Sequence, residues 1–353
     1  MSRAPYRPKQ GTVSNMTFTA LQVLWYFLIF LLIGGYLVLD GFDLGVGVLS
    51  PFLAKNDEER DILTRSIGPV WDGNEVWLLT AGGALFAAFA PAYATTFSGF
   101  YLAIMLVLFG LILRAVSLEY AHVDGKWSKL WYGCFFVGSL LPALLTGVAV
   151  GNIYAGIPMD VNGDYSGIPL LGLVTPFTLL CGVLGLVMMC AAGAAWVALK
   201  APLDSELRAR AVKMRFVLQV AAIVVFLIVS AFSLLVVQPS MEPMLGVARM
   251  LCVALFAIAM IASIALGQND GRDLAAFVCQ SVAAFMLVAL LATSMFPNLV
   301  VASAGSVGPT IGIANAVAGD VTLAWMTGIA CIGVPLVLIY HVFVYRTFRG
   351  RLS

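Results

Sequence analysis

Charged side chains are scarce in this sequence. They make up 10% of its 353 residues, whereas hydrophobic residues make up 61%. A water-soluble globular domain is about one quarter charged, so the composition argues against that class. The formal net charge is only +1 and offers no basic surface to nucleic acid. The scarcity of charge therefore indicates an integral membrane protein, and we expect no nucleic-acid partner.

Histidine is rarer still. His122 and His341 are the only two, and they lie far apart in the sequence. Membrane haem proteins ligate iron through His, or through Met with His, so we predict that this chain binds no haem of its own. The six cysteines form no CxxC pair and have no histidine at ligand spacing, which argues against a metal site. We expect them to be free thiols packed as small hydrophobes.

Long apolar runs dominate what is present. A membrane-spanning helix needs about 20 apolar residues. We predict an all-α, polytopic membrane protein that forms one integral membrane domain after an N-terminal tail at residues 1–19. The run Leu21–Leu39 is too long for a signal peptide and is predicted to be a retained helix. The nine candidate spans are residues 20–39, 67–90, 96–119, 129–151, 171–199, 212–237, 246–266, 273–296 and 320–345.

Lysine and arginine are distributed unevenly among the predicted helix ends. Fifteen of the 19 fall on one side of the membrane, and the other four are Arg3, Arg7, Lys9 and Arg249. Cytoplasmic loops carry the excess of basic residues in membrane proteins. With an odd number of spans, this bias predicts an N-terminus outside the cell and a C-terminus in the cytoplasm.

The predicted spans nevertheless contain ionisable residues. The end of the first span, the start of the second and the end of the third lie at one depth, and they carry Asp40, Asp43, Asp72, Glu75, Arg114 and Glu119. Groups at such depth normally face a protein interior or a wet cavity, and they often form proton paths. An arginine can hold one acid ionised while a second acid in a dry site keeps its proton. The set therefore predicts a proton path.

Structural alternatives stay open for single residues. Asp72-Gly-Asn-Glu75 fits a capping box at a helix N-terminus, and Asp40 and Asp43 could lie among lipid headgroups. Trp71 and Trp77 suit an aromatic belt at the membrane interface, or could line a slot for a quinone or lipid tail. The small-residue runs 81–84 and 191–195 are predicted to permit close helix packing.

Two other classes of protein share these features. A proton-coupled secondary transporter also combines apolar helices with intramembrane acids, but such carriers often show two related halves with broken helices. No clear repeat is visible here, and the intramembrane charges crowd into the first three spans. A purely structural membrane scaffold is the third possibility, and it predicts that Asp72 can be changed freely.

Three segments carry a family resemblance. In order, LDGFDLGVGVLSPF, GPVWDGNEVWLLTAGGALFAAFAPAYATTFSGFYLA and LILRAVSLEY resemble subunit II of the bacterial cytochrome bd quinol oxidases. The resemblance is dense over about residues 30–155 and looser afterwards. It implies two four-helix bundles, here 20–151 and 171–296, plus a peripheral helix at 320–345. It also implies a non-haem subunit of a complex that reduces oxygen to water with electrons from quinol.

The resemblance further implies the composition of that complex. Haem b and haem d belong to subunit I, the partner that subunit II supports in the bacterial cytoplasmic membrane, and the complex takes up cytoplasmic protons without pumping. A small single-helix subunit, membrane lipids and a structural quinone are possible further partners. By motif, Asp72 matches the family's proton-route acid, Arg114 its arginine after the third helix, and Asp40 and Asp43 its DGFD acids. Glu119 stands where other members can have Asp, which changes the reach of the carboxylate.

Overall fold

The computed structural model describes residues 18–120, 127–239, 241–242, 245–269 and 271–352, and it is almost entirely helical. The helices of the first half are α1 (Ala20–Leu53), α2 (Asp57–Ile67), α3 (Trp71–Ala88), α4 (Ala90–Gly99), α5 (Tyr101–Tyr120) and α6 (Ser128–Ala155). Those of the second half are α7 (Pro176–Lys200), α8 (Glu206–Phe232), α9 (Gly246–Gly267), α10 (Asp273–Met295), α11 (Ile313–Ala316) and α12 (Asp320–Thr347). Strands β1 (Asn298–Val300) and β2 (Ile311–Gly312) form a short antiparallel ribbon.

The long helices form two neighbouring bundles. In the first, α1 packs against α3 and α6, and α5 packs along α6; in the second, α7 packs against α8 and α10, and α9 packs along α10. The bundles share a wall, because α1 also contacts α7 and α10. Helix α12 lies outside both bundles and contacts α1 and α3. The predicted all-α fold of two bundles plus a peripheral helix is confirmed.

Eight described helices are long and apolar enough to cross a membrane, namely α1, α5, α6, α7, α8, α9, α10 and α12. The predicted span missing from these eight is the second, residues 67–90. It corresponds to α3, which has 18 residues and carries Asp72 and Glu75 in its first half. These polar residues lower its mean hydropathy, yet α3 packs against α1 within the first bundle. Its place in the fold depends on polar contacts as well as on apolar packing.

Two predicted boundaries are wrong. The first span was expected to end at residue 39, but α1 continues to Leu53 as a single helix of 34 residues, which is about 50 Å long at 1.5 Å per residue. The polar residues after position 39 do not end the helix, because neighbouring helices supply partners for them. The third span is predicted to begin at residue 96, but α5 begins at Tyr101, because an extra helix, α4, occupies Ala90–Gly99. Helix α4 begins after a break in the helical backbone at Phe89 and has Pro91 in its first turn.

The shared wall between the bundles is built on glycine. A Cβ added to Gly45 of α1 would overlap the backbone carbonyl of Met189 on α7, and a Cβ added to Gly193 of α7 would overlap the backbone of Gly45. The two backbones are therefore in direct contact, as small residues permit in membrane helices. The close-packing prediction for the run 191–195 holds at Gly193. In the run 81–84, Gly83 has no atom within 4 Å of an added Cβ.

The loss of stability caused by one added methyl group at this wall should be measurable. We expect Gly45→Ala to destabilise the protein by about 1–3 kcal/mol, the usual cost of overpacking a tight contact, and thermal unfolding of the purified complex would report it as a lower Tm. Gly133→Ala is the matched control, since a Cβ there meets no atom within 4 Å. Equal Tm values for the two variants would mean that α1 and α7 have room to separate.

Candidate functional site

The buried acids begin in the middle of α1. Asp40 and Asp43 lie three residues apart and share one face of the helix. Both are 0% exposed. The alternative that they lie among lipid headgroups is wrong, because α1 continues past them to Leu53 and the neighbouring helices cover both carboxyl groups.

Arg114 on α5 supplies the positive charge. Its Nη2 donates to Asp40 Oδ1 at 2.7 Å and also to Glu75 Oε1 on α3. The side chains of Arg114 and Asp40 are 0% exposed, and that of Glu75 is 22% exposed. A buried ion cluster thus joins α1, α3 and α5 at one level.

Asn74 completes the cluster from α3. Its Nδ2 donates to Asp43 Oδ2 at 2.7 Å and to the backbone carbonyl of Leu39 at 3.2 Å. The capping-box alternative is wrong, because α3 begins at Trp71 without a side-chain cap and Glu75 reaches Arg114 instead. Asn74 is missing from the sequence-based prediction, although an amide between two acids in a membrane span is itself an unusual feature.

The cluster contains more acid than base. It has three carboxyl groups and one guanidinium, so the cluster is neutral only when two of the carboxyl groups are protonated. Within the described part of the chain, several buried atoms here have no hydrogen-bond partner: Asp40 Oδ2, Asp43 Oδ1, Arg114 Nε, Arg114 Nη1 and, on the adjacent face of α6, Ser139 Oγ. Buried polar groups are rarely unpaired, and ordered water commonly satisfies them. The arrangement therefore suits the binding of protons and water.

Two predicted members lie outside this cluster. Asp72 in the first turn of α3 and Glu119 in the last turn of α5 are exposed in the isolated chain. Asp72 precedes Glu75 by three residues, and Glu119 follows Arg114 by five. The structure thus brings four of the six predicted path residues together and places the other two on the surface of the same helices.

The two tryptophans suggested for a quinone or lipid slot pack against protein. Trp77 is buried against Gly35 of α1, and its indole N–H donates to His341 Nε2 on α12 at 3.3 Å. Trp71 is the first residue of α3, is partly buried and packs against the hydrophobic core. The slot stays a prediction, and Trp77 is already engaged between α1 and α12.

His341 does not fit the role of a haem ligand. Its Nε2 accepts the Trp77 hydrogen bond, and its Nδ1 lies 2.8 Å from the carbonyl of Val337, which assigns the ring proton to Nδ1. Both ring nitrogens are thus engaged in a buried side chain. His122 lies outside the described residues. Among the described residues, no group of three or more His, Cys, Asp or Glu side chains could hold a metal ion.

A second buried ion cluster lies in the second bundle. Asp273 at the start of α10 is 2% exposed and contacts Arg208, Arg215 and Arg351 at 3.0, 3.3 and 2.8 Å. Arg351 also donates to two backbone carbonyls at the end of α7, and so ties the segment after α12 to the second bundle. Three guanidinium groups contact one carboxylate here, and a guanidinium does not release its proton, so the charges of this cluster stay constant. It could not be predicted, because Asp273 and Arg351 are remote in sequence.

The fold and the buried cluster first narrow the class of membrane protein. A polytopic helical membrane protein with a buried, acid-rich cluster is either a subunit of a larger complex, as a scaffold or in proton transfer, or a proton-coupled carrier. The family model for cytochrome bd terminal oxidase subunit II matches residues 21–348. The chain belongs to that family.

Individual relatives agree with the family assignment. The chain is 32% identical over 376 residues to the cytochrome bd-I ubiquinol oxidase subunit 2 of Escherichia coli K12, covering 95% of this chain and 96% of that protein. It is 35% identical over 346 residues to the cytochrome bd ubiquinol oxidase subunit 2 of Bacillus subtilis 168, covering 95% and 97%. A chain of the bd oxidase from Geobacillus thermodenitrificans shares the fold, with a TM-score of 0.75 at 14% identity over 94% of this chain and 99% of that one.

The family assignment decides between the two classes. The chain is a subunit of an oxidoreductase complex of the respiratory chain, and the comparisons do not support a proton-coupled transporter. A subunit 2 implies a companion subunit 1 in the same membrane. The resemblance expected from the three sequence segments is therefore confirmed.

The geometry of His341 leads to a spectroscopic prediction. Because both ring nitrogens have partners within the chain, we expect His341→Phe to leave the haem absorption spectrum and haem content of the purified complex unchanged. The expected losses are the hydrogen bonds with Trp77 and with the carbonyl of Val337, about 1 kcal/mol of stability each. Loss of one haem band in this variant, with the other bands intact, would instead identify His341 as a ligand.

Proposed function

We propose that this chain conducts protons from the cytoplasm toward the oxygen-reducing site of its companion subunit, and that it supports that subunit structurally. The carrying observation is the buried cluster in which Asp40 and Glu75 contact Arg114 while Asp43 accepts a hydrogen bond from Asn74. Acids held at membrane depth beside an arginine are typical of proton relays. Reduction of oxygen to water consumes protons, so the complex requires such a supply.

The exposed acids extend the path beyond the cluster. Asp72 and Glu119 lie on the surfaces of α3 and α5, the two helices that also supply Glu75 and Arg114. A surface that carries acids next to buried acids suits contact with the companion subunit. Protons would cross from one polypeptide to the other there.

The orientation and the cofactors complete the proposal. Basic residues meet where α1 and α7 end: Arg210 donates to the carbonyl of Leu53, and Lys200 accepts the backbone N–H of Leu352 through its own carbonyl. This end faces the cytoplasm of the bacterial cell under the positive-inside rule, which places the N-terminus outside. Haem b and haem d belong to the companion subunit, in line with the engaged nitrogens of His341.

Further partners would bind the outer faces of the bundles. Large apolar side chains are exposed on α3, α5 and α12 in the isolated chain, among them Leu79, Phe109 and Trp325. Such faces suit membrane lipid, a structural quinone or a small single-helix subunit as well as the companion subunit.

Substitution of the path residues tests the proposal. We expect Asp72→Asn to slow oxygen reduction by the purified complex about a hundredfold, the low end of the loss caused by removing a proton-transferring group. Arg114→Ala should slow it as well, because it removes the positive charge that Asp40 and Glu75 contact. Arg114→Ala should also lower stability by about 3–5 kcal/mol or disturb haem binding, because it leaves Asp40 buried without its partner. Oxygen consumption and haem spectra are measured on the same preparations.

Asp320→Asn is the matched control. Asp320 is an exposed acid at the start of α12, on the opposite side of the membrane from the basic helix ends, and its replacement should leave turnover unchanged. Wild-type turnover and wild-type haem spectra in both path variants would leave this chain only its role as a scaffold.

A further inference from the structure

Helix α12 is peripheral, yet its last turns face inward. Trp325 and Ile339 are 74% and 65% exposed, whereas His341 is only 8% exposed. Tyr345, one turn after His341, is partly buried, with its ring centroid 5.9 Å from that of Trp196 on α7. A helix that is largely exposed in the isolated chain thus places two polar side chains within the protein.

Tyr345 fixes the orientation of an amide in the acid cluster. Its hydroxyl donates to Asn74 Oδ1 at 3.1 Å, while Asn74 Nδ2 donates to Asp43 Oδ2 and to the carbonyl of Leu39. The carbonyl of Leu39 can only accept a hydrogen bond, so a rotated amide would set the Asn74 oxygen against the oxygen of Leu39. The Tyr345 hydroxyl favours the same orientation because it donates a hydrogen bond to the oxygen of the Asn74 amide.

Asp43 depends on this amide more than its neighbours do. Arg114 directs Nη2 to Asp40 and Glu75, while the donor that contacts Asp43 in the described part of the chain is Asn74. The charged and titratable groups facing Asp43 are Asp40 on α1, Glu75 on α3, Arg114 on α5 and Tyr345 on α12. The other packed helices face this stretch of α1 with uncharged residues, namely Ser139 on α6, Met189 on α7 and Phe277 on α10.

Tyr345 also borders a cavity at the basic end of the helices. The cavity has a volume of about 50 Å³ and is lined by Arg65, Trp196, Lys200 and Phe348 in addition to Tyr345. This volume is large enough for water, and its lining includes polar groups. The side chain of Tyr345 therefore borders a space that water can enter, while its hydroxyl contacts the amide that contacts Asp43.

We propose that Tyr345 is a positioning residue for the proton path. Its hydroxyl holds the amide of Asn74 in one orientation, and that amide holds the carboxyl group of Asp43 in the position from which it exchanges protons. This inference rests on the proposed function, because it concerns the same cluster. It assigns α12 a part in proton transfer in addition to its packing against α1 and α3.

Removal of one hydroxyl group tests the inference. Tyr345→Phe keeps the ring packing and removes the hydrogen bond to Asn74. We expect the pH–rate profile of oxygen reduction by the purified complex to move by roughly half a unit to one unit, the size expected for loss of one neutral hydrogen bond. The haem spectra and the KM for quinol should not change. Tyr340→Phe, on the same helix and half exposed, should leave the profile of the wild type.

A double-mutant cycle tests the route through Asn74. If Tyr345 acts through this amide, adding Tyr345→Phe to Asn74→Ala leaves the profile where Asn74→Ala placed it; additive shifts would overturn the route. A wild-type profile for Tyr345→Phe overturns the inference by itself, even if Asn74→Ala fails to assemble.

Asp43→Asn, measured alongside, separates the inference from the proposed function. If Asp43→Asn slows oxygen reduction and Tyr345→Phe has no effect, the inference fails and the proton path stands. If both variants behave as the wild type, the proposed path through Asp43 fails as well.

Discussion

The contact of Arg114 with Asp40 and Glu75 constrains the whole first bundle. A guanidinium at 0% exposure is tolerable only if acids reach it. The acids come from two other helices, so α1, α3 and α5 must meet at one level. For the same reason α1 cannot end at Asp40, and the polar first half of α3 must face the interior. The apolar surfaces determine that these segments lie in a membrane, and the ion cluster determines which of their faces meet.

Close backbone approach makes that contact possible. A Cβ on Gly138 of α6 would lie 2.7 Å from the backbone nitrogen of Arg114, and one on Gly110 of α5 would lie 2.8 Å from Pro142. The α5–α6 pair is therefore too close to admit side chains between the two backbones, which directs the long arginine toward α1. The glycines at the wall of α1 and α7 act similarly, because they hold α1 from its other side. The charged site is thus supported by contacts that are themselves uncharged.

The sequence predicts this architecture well where the signal is local. Apolar runs of helical length identify the spans, and the charged residues within them identify Asp40, Asp43, Glu75 and Arg114 as unusual. The length of α1 could not be predicted, because whether an acid ends a helix depends on partners from other helices. Asn74 could have been noticed from its own segment, whereas Tyr345 and the contacts of Asp273 could not. Each of those depends on how α12 and the segment after it lie against distant helices.

The two buried clusters differ in their ratio of acids to bases, which decides whether a cluster can bind and release protons or only anchors helices. Around Arg114 acids outnumber the base, so the cluster is neutral only when protons are bound to its carboxyl groups, and these protons can be exchanged. The described contacts of Asp273 contain three arginines, and a guanidinium does not release its proton. Helix α12 and the segment that follows it make hydrogen bonds to both clusters: Tyr345 donates to Asn74 in the first, and Arg351 donates to Asp273 in the second. A helix with little buried surface is therefore held by polar contacts at its C-terminal end, in addition to the hydrogen bond that the Trp25 indole N–H donates to the carbonyl of Leu323 near its start.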